Sequence, residues 1–310
     1  MKTSIPELTQ ALKDKAFTLG FSFCGIAEAR FLDQEAPRLE HWLKQGSHGE
    51  MAYMAKHFDM RLDPRILMPG ARTVISLAFN YFPEQTQAGE APYKISKYAY
   101  GIDYHDVIHE KLNLLAGFLR QAAGEIHIRT FVDSAPILER AWAVQAGIGW
   151  IGRNSMLISR RNGSFFFLAE LITDLPMEYD APFAGNYCGD CSRCIDACPT
   201  GAVKDFAIDA TRCISYLTIE LKAELSPARK GSYDNWIFGC DICQDVCPWN
   251  RFSTPHAAPG LNPLPGLLEL DATGWEQMTE ASFRQMFRHS AIRRTKLRGL
   301  NRNINFLKDC

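Results

Sequence analysis

The sequence predicts an α+β fold in three parts, and three observations carry that reading. Helix-period and strand-period apolar runs alternate up to about residue 180, cysteines crowd between residues 188 and 247, and basic residues dominate from Ser282 onward. The parts are bounded at 1–180, 181–255 and 256–310, with the first boundary set where composition turns to Pro, Gly and Asn between Leu175 and Tyr187. A chain of 310 residues is long enough for more than one core, and a formal net charge of −1 gives no global sign of a nucleic-acid partner.

The elements follow in order. Leu8, Leu12, Ala16 and Leu19 recur at helical intervals, with Ser4 placed to cap the helix and Gly20 to stop it. FSFCGIAEA is the first strand. Residues 35–60 read as two short helices broken at Gly46 and Gly49, and Met51 and Met54 fit core packing better than a cofactor wall. Pro64, Pro69 and Gly70 mark a loop, TVISLAFNYF (73–82) a buried strand, and residues 83–97 a polar loop. A helix runs from about Tyr104 to Ala123. Near its start Asp103-Tyr104-His105 begins the D-x-H-x-x-G pattern of proteins that ligate cobalt through His, but Ile108 stands where the Gly belongs, so His105 is not assigned as a cobalt ligand. IHIRTFVD (126–133) is a strand that delivers the Asp133 carboxylate to its C-terminal edge. SAPILERAWAVQAG is then a helix with Ser134 as N-cap and Pro136 in its first turn.

Gly147, Gly149 and Gly152 spell G-x-G-x-x-G, yet a dinucleotide fingerprint follows a strand and opens a helix, whereas this one follows a helix. It leads into MLISRRNGSFFFLAELITD, a hairpin turning at Asn162-Gly163. The glycines either admit a bulky ligand to the backbone or make a bend.

Cys188, Cys191, Cys194 and Cys198 stand at C-x-x-C-x-x-C-x-x-x-C-P spacing, the bacterial ferredoxin run in which three thiolates hold one 4Fe-4S cluster and the fourth reaches a second. Cys240, Cys243 and Cys247 give C-x-x-C-x-x-x-C-P, one ligand short, and Cys213 is available. If the crossed arrangement holds, Cys188, Cys191, Cys194 and Cys247 bind one cluster and Cys198, Cys213, Cys240 and Cys243 the other. Disulfides suit a shorter chain, and zinc is the rival that paired C-x-x-C units allow. The closing Pro199 and Pro248 favour two 4Fe-4S clusters. Cys24 and Cys310 fall outside the pattern, as a buried apolar thiol and a chain-end thiol. Between the cysteine sets lies a helix from about Ile214 to Ala223, and proline-rich residues 251–270 wrap irregularly.

The C-terminal part is helical. Arg284, Arg288, Arg293, Arg294, Lys296, Arg298, Arg302 and Lys308 meet no acid before Asp309, and with Asn301, Asn303 and Asn305 they read as a phosphate-binding surface, against a solvated face as the plainer alternative. The N-terminus is a poor signal peptide and carries no twin-Arg pair; no apolar run reaches the roughly 18 residues of a membrane span. Reduced cysteines and no span place the chain in the cytoplasm, with no membrane partner.

A ferredoxin-like module carries single electrons, and the preceding part is too large for a carrier alone. The stretches RLDPRILMPGARTVISLAFNY, KYAYGIDYHDVIHEKL, VDSAPILERAWAVQAGIGWIGRNSMLI, GSFFFLAELITD, YCGDCSRCIDACPTGAV, CISYLTIE and FGCDICQDVCPWNRF, with the tail RRTKLRGLNRNI, resemble the epoxyqueuosine reductase family. The resemblance implies an N-terminal cobalamin-binding domain similar to that of reductive dehalogenases (nitroreductase-like), and reduction of epoxyqueuosine to queuosine at the tRNA wobble position with release of water. Asp133 matches the family's proton donor, a role that needs an apolar setting to keep a carboxyl protonated near neutral pH. The resemblance places His57, Lys97, Tyr98, Asp133, Asn154, Ser155 and Ser215 along the corrin. The anticodon loop would meet Arg229, Lys230, Arg293, Arg294, Lys296, Arg298 and Arg302, and an external low-potential donor would feed the clusters. The rival readings are a corrinoid reductive dehalogenase, which usually carries a twin-Arg signal, and a pure electron-transfer protein.

Overall fold

Four strands with near-continuous apolar sequence build the centre of the computed structural model, which describes residues 4–308; Cys310 lies outside the described residues. Helix α1 (Ile5–Thr18) is closed by a capping box between Ser4 and Glu7. Strands β1 (Phe23–Glu28) and β2 (Thr73–Asn80) pair antiparallel, Ile26 opposite Ile75. Helix α2 (Tyr104–Ala123) begins at Asp103, whose carboxylate accepts the N–H of His105. Strand β3 (Ile128–Phe131), helix α3 (Glu139–Gln145) and strand β4 (Phe166–Thr173) follow. The sheet order is β1-β2-β4-β3, antiparallel throughout.

Both inner strands are buried on two faces, which explains their unbroken apolar runs. One face carries Ile75, Leu77, Phe167, Ala169 and Leu171 against Leu8 and Leu12 of α1 and Ile108, Leu112 and Leu115 of α2. The other carries Val74, Phe131 and Ile172 against Ala141, Trp142 and Ala146 of α3. Ser76 and Glu170 share that second face, directly opposite each other across β2 and β4.

Helix α4 (Ile214–Ile219) and helix α5 (Lys296–Lys308) belong to the other half. There Ile219, Ile237, Phe238, Trp275, Phe287, Leu300 and Ile304 share one core with Tyr93, Ile95, Ala99 and Tyr100. The C-terminal segment is therefore packed against the chain's middle and is not a loose tail.

Several expected elements differ. The 35–60 stretch holds the helix Glu35–Lys44, a 3-10 turn at Ala52–Met54 and a helix at Phe58–Leu62. The 64–70 loop contains a helical turn, Pro64–Leu67, because Asp63 caps it and Pro64 takes the first position. Within the 83–97 loop, Lys94–Ile95 adds a short parallel pairing to Trp236–Phe238. The helix expected from Ser134 starts only at Glu139, and Ser134 does not cap it. The segment after Cys213 is helical for six residues rather than ten. The basic segment breaks into Glu280–Met286, a 3-10 turn at Ala291–Thr295, and α5.

The G-x-G-x-x-G run makes a bend. Gly147 has φ +76, and a Cβ on Gly149 would lie 2.1 Å from the Ile158 carbonyl oxygen, so the close approach is to the chain's own backbone. The expected hairpin is also redistributed: Ser159 bridges Gly163 around the turn, but Leu157–Ile158 pairs back to Trp150–Ile151, while β4 enters the central sheet. Cys24 packs against the first core, and burial pushes its thiol up to about 12. No helix of the described residues is long and apolar enough to cross a membrane.

Candidate active site

The two cysteine runs fold alike. Each sends a short helix, Arg193–Asp196 or Ile242–Asp245, between its cysteines, and these helices pack on each other. Burial raises the Cys194 thiol first, and the neighbouring thiols of Cys247, Cys188 and Cys191 raise it further. Cys247 is raised by burial and then by Cys188 and Cys191. These four are one group. Burial likewise raises Cys240, with Cys243 and Cys213 adding to it, and raises Cys213, with Cys198 beside it. Burial pushes Cys198 up too, but hydrogen bonds from Val203, Thr200 and Ala202 outweigh it and leave the thiol below its ordinary value. Cys243 feels Cys213, Cys194 and Cys198, so the two groups adjoin. Among the described residues no three His, Cys, Asp or Glu side chains converge as ligands of a single ion. Eight sulfur donors in two adjoining groups of four suit iron–sulfur clusters, a donor set that tetrahedral zinc shares.

Asp133 sits two residues past β3 with φ +53, a left-handed conformation that Asp tolerates at modest cost. Three contacts fix it. The Tyr104 hydroxyl donates to Asp133 Oδ2 at 2.8 Å, His105 Nε2 stands 3.9 Å from the same oxygen, and the Asp133 N–H donates to Glu139 Oε1 at 2.7 Å. The apolar setting expected for Asp133 is not what surrounds it: its side chain is 54% exposed, because it projects from an open loop rather than from the sheet.

The groups behind Asp133 are ordered. Tyr104 lies flat on Phe167, centroids 4.1 Å apart and planes 6° apart, and burial, followed by the Asp133 charge, keeps its phenol protonated. His105 Nδ1–H donates to Asp103 Oδ1 at 2.7 Å, and that hydrogen bond raises the imidazole pKa above its ordinary value against the opposing effect of burial. Tyr98 stands edge-on to Tyr104, and burial followed by Asp133 raises its pKa. Sequence reasoning missed Tyr104, His105 as a neighbour of Asp133, Glu139 and Glu170. Glu170 had a signal, since it is a lone acid inside the apolar run FFFLAELIT.

The structure places the other expected residues unevenly. Lys97 Nζ pairs with Asp245 at 2.7 Å and Asp241 at 3.5 Å, and its own N–H donates to Asp241, so it clips the N-terminal part to the cysteine segment. Asn154 is 2% exposed and does the same, donating to the Cys243 carbonyl at 3.0 Å. Ser155 has φ +60, and its carbonyl takes a guanidinium N–H of Arg140. Ser215 lies two residues past Cys213 at the start of α4. His57 is exposed, with φ +61, at the start of the helix Phe58–Leu62.

Among the expected phosphate-binding residues, Arg294 pairs with Glu220 at 2.5 Å, and Glu220, Tyr53 and then Asp133 raise its pKa against burial. Its charge is therefore felt at Asp133 and Tyr98. Arg293, Lys296 and Arg298 are exposed, and Arg229 and Lys230 lie in and just after the 3-10 turn Pro227–Arg229. Arg302 departs from its expected role: its guanidinium donates to the carbonyls of Leu217, Leu221 and Ala223 and to Asn303 Oδ1, which leaves it a structural clamp. Asn303 is 1% exposed and donates to Thr218 and Ile237, so it too faces inward. Arg284 and Lys308 pair with Glu280 and Glu276, acids that precede them in the chain. A cavity of about 980 Å³ between Phe82, Lys97, Phe165 and the Cys247 segment lies away from Asp133, so the chemistry is located by residues and not by that cavity.

A family model described as "Epoxyqueuosine reductase QueG, DUF1730" matches residues 61–134, and one described as a "4Fe-4S double cluster binding domain" matches residues 187–250. An epoxyqueuosine reductase of Cyclobacterium marinum is 55% identical over 309 residues, covering 99% of both chains. A crystal structure of epoxyqueuosine reductase with an epoxyqueuosine-modified tRNA-Tyr stem loop superimposes with TM-score 0.87 at 31% identity, covering 96% of this chain and 80% of that one. The Bacillus subtilis enzyme, crystallised with its catalytic aspartate loop swung out of the active site, gives TM-score 0.87 at 30% identity with the same coverage.

Proposed function

We infer the function from one premise: the chain belongs to the epoxyqueuosine reductase family. It is an oxidoreductase that reduces epoxyqueuosine to queuosine in tRNA, taking the epoxide oxygen out as water. Its partner is tRNA, and its second part is a double 4Fe-4S cluster domain. The observation that carries the reading is identity of 55% over 309 residues, 99% of this chain and 99% of the relative. The rival readings, a dehalogenase or a bare electron carrier, have no comparable support.

We assign Cys188, Cys191, Cys194 and Cys247 to one cluster and Cys198, Cys213, Cys240 and Cys243 to the other. Thiols that burial raises, as in Cys240 and Cys243, ionise only against a cation, which fits them as metal ligands. We further assign a cobalamin to the space beside Asp133, where the exposed carboxylate takes the Tyr104 hydroxyl, Tyr98 stands edge-on to Tyr104, and Arg294, paired with Glu220, adds its charge. Tyr98, Ser155, Ser215 and His57 would hold it, while Lys97 and Asn154 position the cysteine segment from behind. When bound, cobalt supplies electrons to the substrate carbon.

The chain's own residues then manage the proton. Taking an epoxide oxygen out as water consumes two electrons and two protons, and the first proton must arrive as the C–O bond breaks, because the alkoxide expelled is a poor leaving group. Asp133 delivers it. Tyr104 donates to Oδ2, which orients the carboxyl and leaves Oδ1 as the oxygen that hands its proton over. Desolvation by the docked substrate supplies the apolar setting that the protein around Asp133 does not. Arg293, Lys296 and Arg298 form the cationic approach for the anticodon loop, with Arg229 and Lys230 beyond. An external low-potential donor refills the clusters, and the reaction takes place in the cytoplasm, where thiols stay reduced.

The test is direct. The protein, loaded with iron, sulfide and cobalamin and reduced anaerobically, is incubated with a tRNA stem loop carrying epoxyqueuosine. Digestion should yield a nucleoside lighter by one oxygen; recovery of unchanged epoxyqueuosine would overturn the reading.

A further inference from the structure

Glu170 is fully buried in the middle of β4, an unusual place for an acid. Ser76 Oγ donates to its Oε1 at 3.4 Å, while its Oε2 has no ordinary donor. That oxygen is not isolated, because the carboxyls of Glu139 and Glu170 lie within hydrogen-bonding reach of each other. Two carboxyls bond only when one of them carries a proton. Glu139, on the first turn of α3 above that face of the sheet, turns its Oε1 the other way and accepts the Asp133 N–H at 2.7 Å. A continuous line thus runs from Ser76 on β2 through Glu170 on β4 and Glu139 on α3 to the backbone of Asp133.

We propose that Glu139 and Glu170 share one proton and act together as a latch that holds the Asp133 loop in its left-handed conformation, making both of them positioning residues for the reduction. Every other group facing the pair is consistent with that task. Asp133 lies on one side, Arg140 on the α3 side and Ser76 on the sheet side. Burial raises both carboxyls, Glu170 most, and the nearby Asp133 charge adds to this. The Arg140 guanidinium turns to the Ser155 carbonyl, which leaves the Glu139 carboxylate to the Asp133 N–H. Between Val132 and Glu139 the loop has only short local bonds of its own, Ser134 N–H to Val132 O and Ile137 N–H to Ala135 O. Its geometry is therefore set from outside, by Glu139 on the backbone and Tyr104 on the side chain.

The functional consequence rests on Asp133 being the proton donor, whereas the latch itself is tested without turnover. In the full-length loaded protein, Glu139→Ala should raise hydrogen exchange at the Asp133 amide about 10- to 100-fold, the effect of losing a bond to a charged acceptor. Glu139→Gln keeps an acceptor oxygen there and should retain the protection. Infrared spectra at neutral pH should show a neutral carboxylic acid in the wild type that disappears in Glu170→Gln, whose amide donates to Glu139 in place of the shared proton. In tRNA turnover, Glu139→Ala should lower kcat with KM unchanged. Unchanged exchange in Glu139→Ala, or no neutral carboxyl band in the wild type, would overturn the latch even if Asp133 proves to be the donor. If Glu139→Ala does not fold, the infrared comparison and Glu139→Gln decide the matter. Inactive wild type with a protected Asp133 amide would instead fault the assigned reaction.

Discussion

The Tyr104 phenol donates a 2.8 Å hydrogen bond to Oδ2 of Asp133 from a ring stacked flat on Phe167. The donor is rigid and its acceptor sits on an open loop, so the pair directs the carboxyl rather than merely stabilising it. Tyr104→Phe keeps the stacked ring and removes only the hydroxyl. Because Asp133 is 54% exposed, the lower end of charged hydrogen-bond strength applies, and single-turnover reduction of the modified stem loop should slow about tenfold. Asp133→Asn should bind the stem loop and abolish turnover. Wild-type rates in the Asn variant would remove Asp133 from proton delivery.

The cysteine grouping makes a countable prediction. Two 4Fe-4S clusters carry about eight irons per chain. Cys213→Ser takes a sulfur from the group with Cys198, Cys240 and Cys243, and Cys188→Ser from the group with Cys247. Each variant should retain about four irons by metal analysis, with the electron paramagnetic resonance of one cluster lost and the other kept. Cys24→Ser should change nothing, since that thiol packs in the first core. A full iron complement in Cys213→Ser would mean that another residue completes the second site.

Cysteine spacing was legible because cluster ligation is written locally, in runs a few residues long. The central strands and α2 were legible for a similar reason: burial on two faces leaves an unbroken apolar signal, and the α2 bounds Tyr104–Ala123 follow from periodicity. What failed depended on partners far away in sequence. Ser134 has a capping side chain, but the chain at Asp133 is turned left-handed by Glu139 and Tyr104, so the helix starts five residues later. From Ser282 to Lys308 the basic segment carries no acid of its own; Glu220, which pairs with Arg294, lies 74 positions earlier, and the carbonyls that absorb Arg302 lie near it. Glu170 carried a visible signal, an acid in an apolar strand, but its partner is set by the packing of α3 on the sheet.

Arginines of the C-terminal segment should therefore divide into two classes. Arg302→Ala leaves the carbonyls of Leu217, Leu221 and Ala223 without their donor and should cost about 2–4 kcal/mol of stability, with the salt slope of stem-loop binding unchanged. Arg293→Ala and Arg298→Ala, both exposed, should leave stability within about 0.5 kcal/mol and lower the salt slope by about 0.7 for each phosphate of a single-stranded loop that is no longer neutralised. Denaturation midpoints and binding titrations over a range of salt separate the two classes. An unchanged slope in the exposed variants would return Arg293 and Arg298 to an ordinary solvated face.

The acid pair adds a pH dependence whose sign is fixed. Glu139 is pushed up to about 7, first by burial and then by the Asp133 charge, and Glu170 is raised further still. In the unfolded chain both return to about 4.3. Since the fold holds these protons more tightly than the unfolded chain does, the pair's contribution is fully present below about pH 4.3 and fades as pH rises through about 7. The double variant Glu139→Gln/Glu170→Gln keeps the hydrogen-bonded line with two amides that do not titrate. Wild type should thus lose thermal stability relative to the double variant between about pH 5 and 8, by up to about 1.4 kcal/mol for each unit by which a pKa is raised. Anaerobic unfolding midpoints of the two loaded proteins across that range make the comparison. A gap that stays constant with pH would mean that neither carboxyl changes its proton on folding, and the pair would then be two ordinary acids without a shared proton.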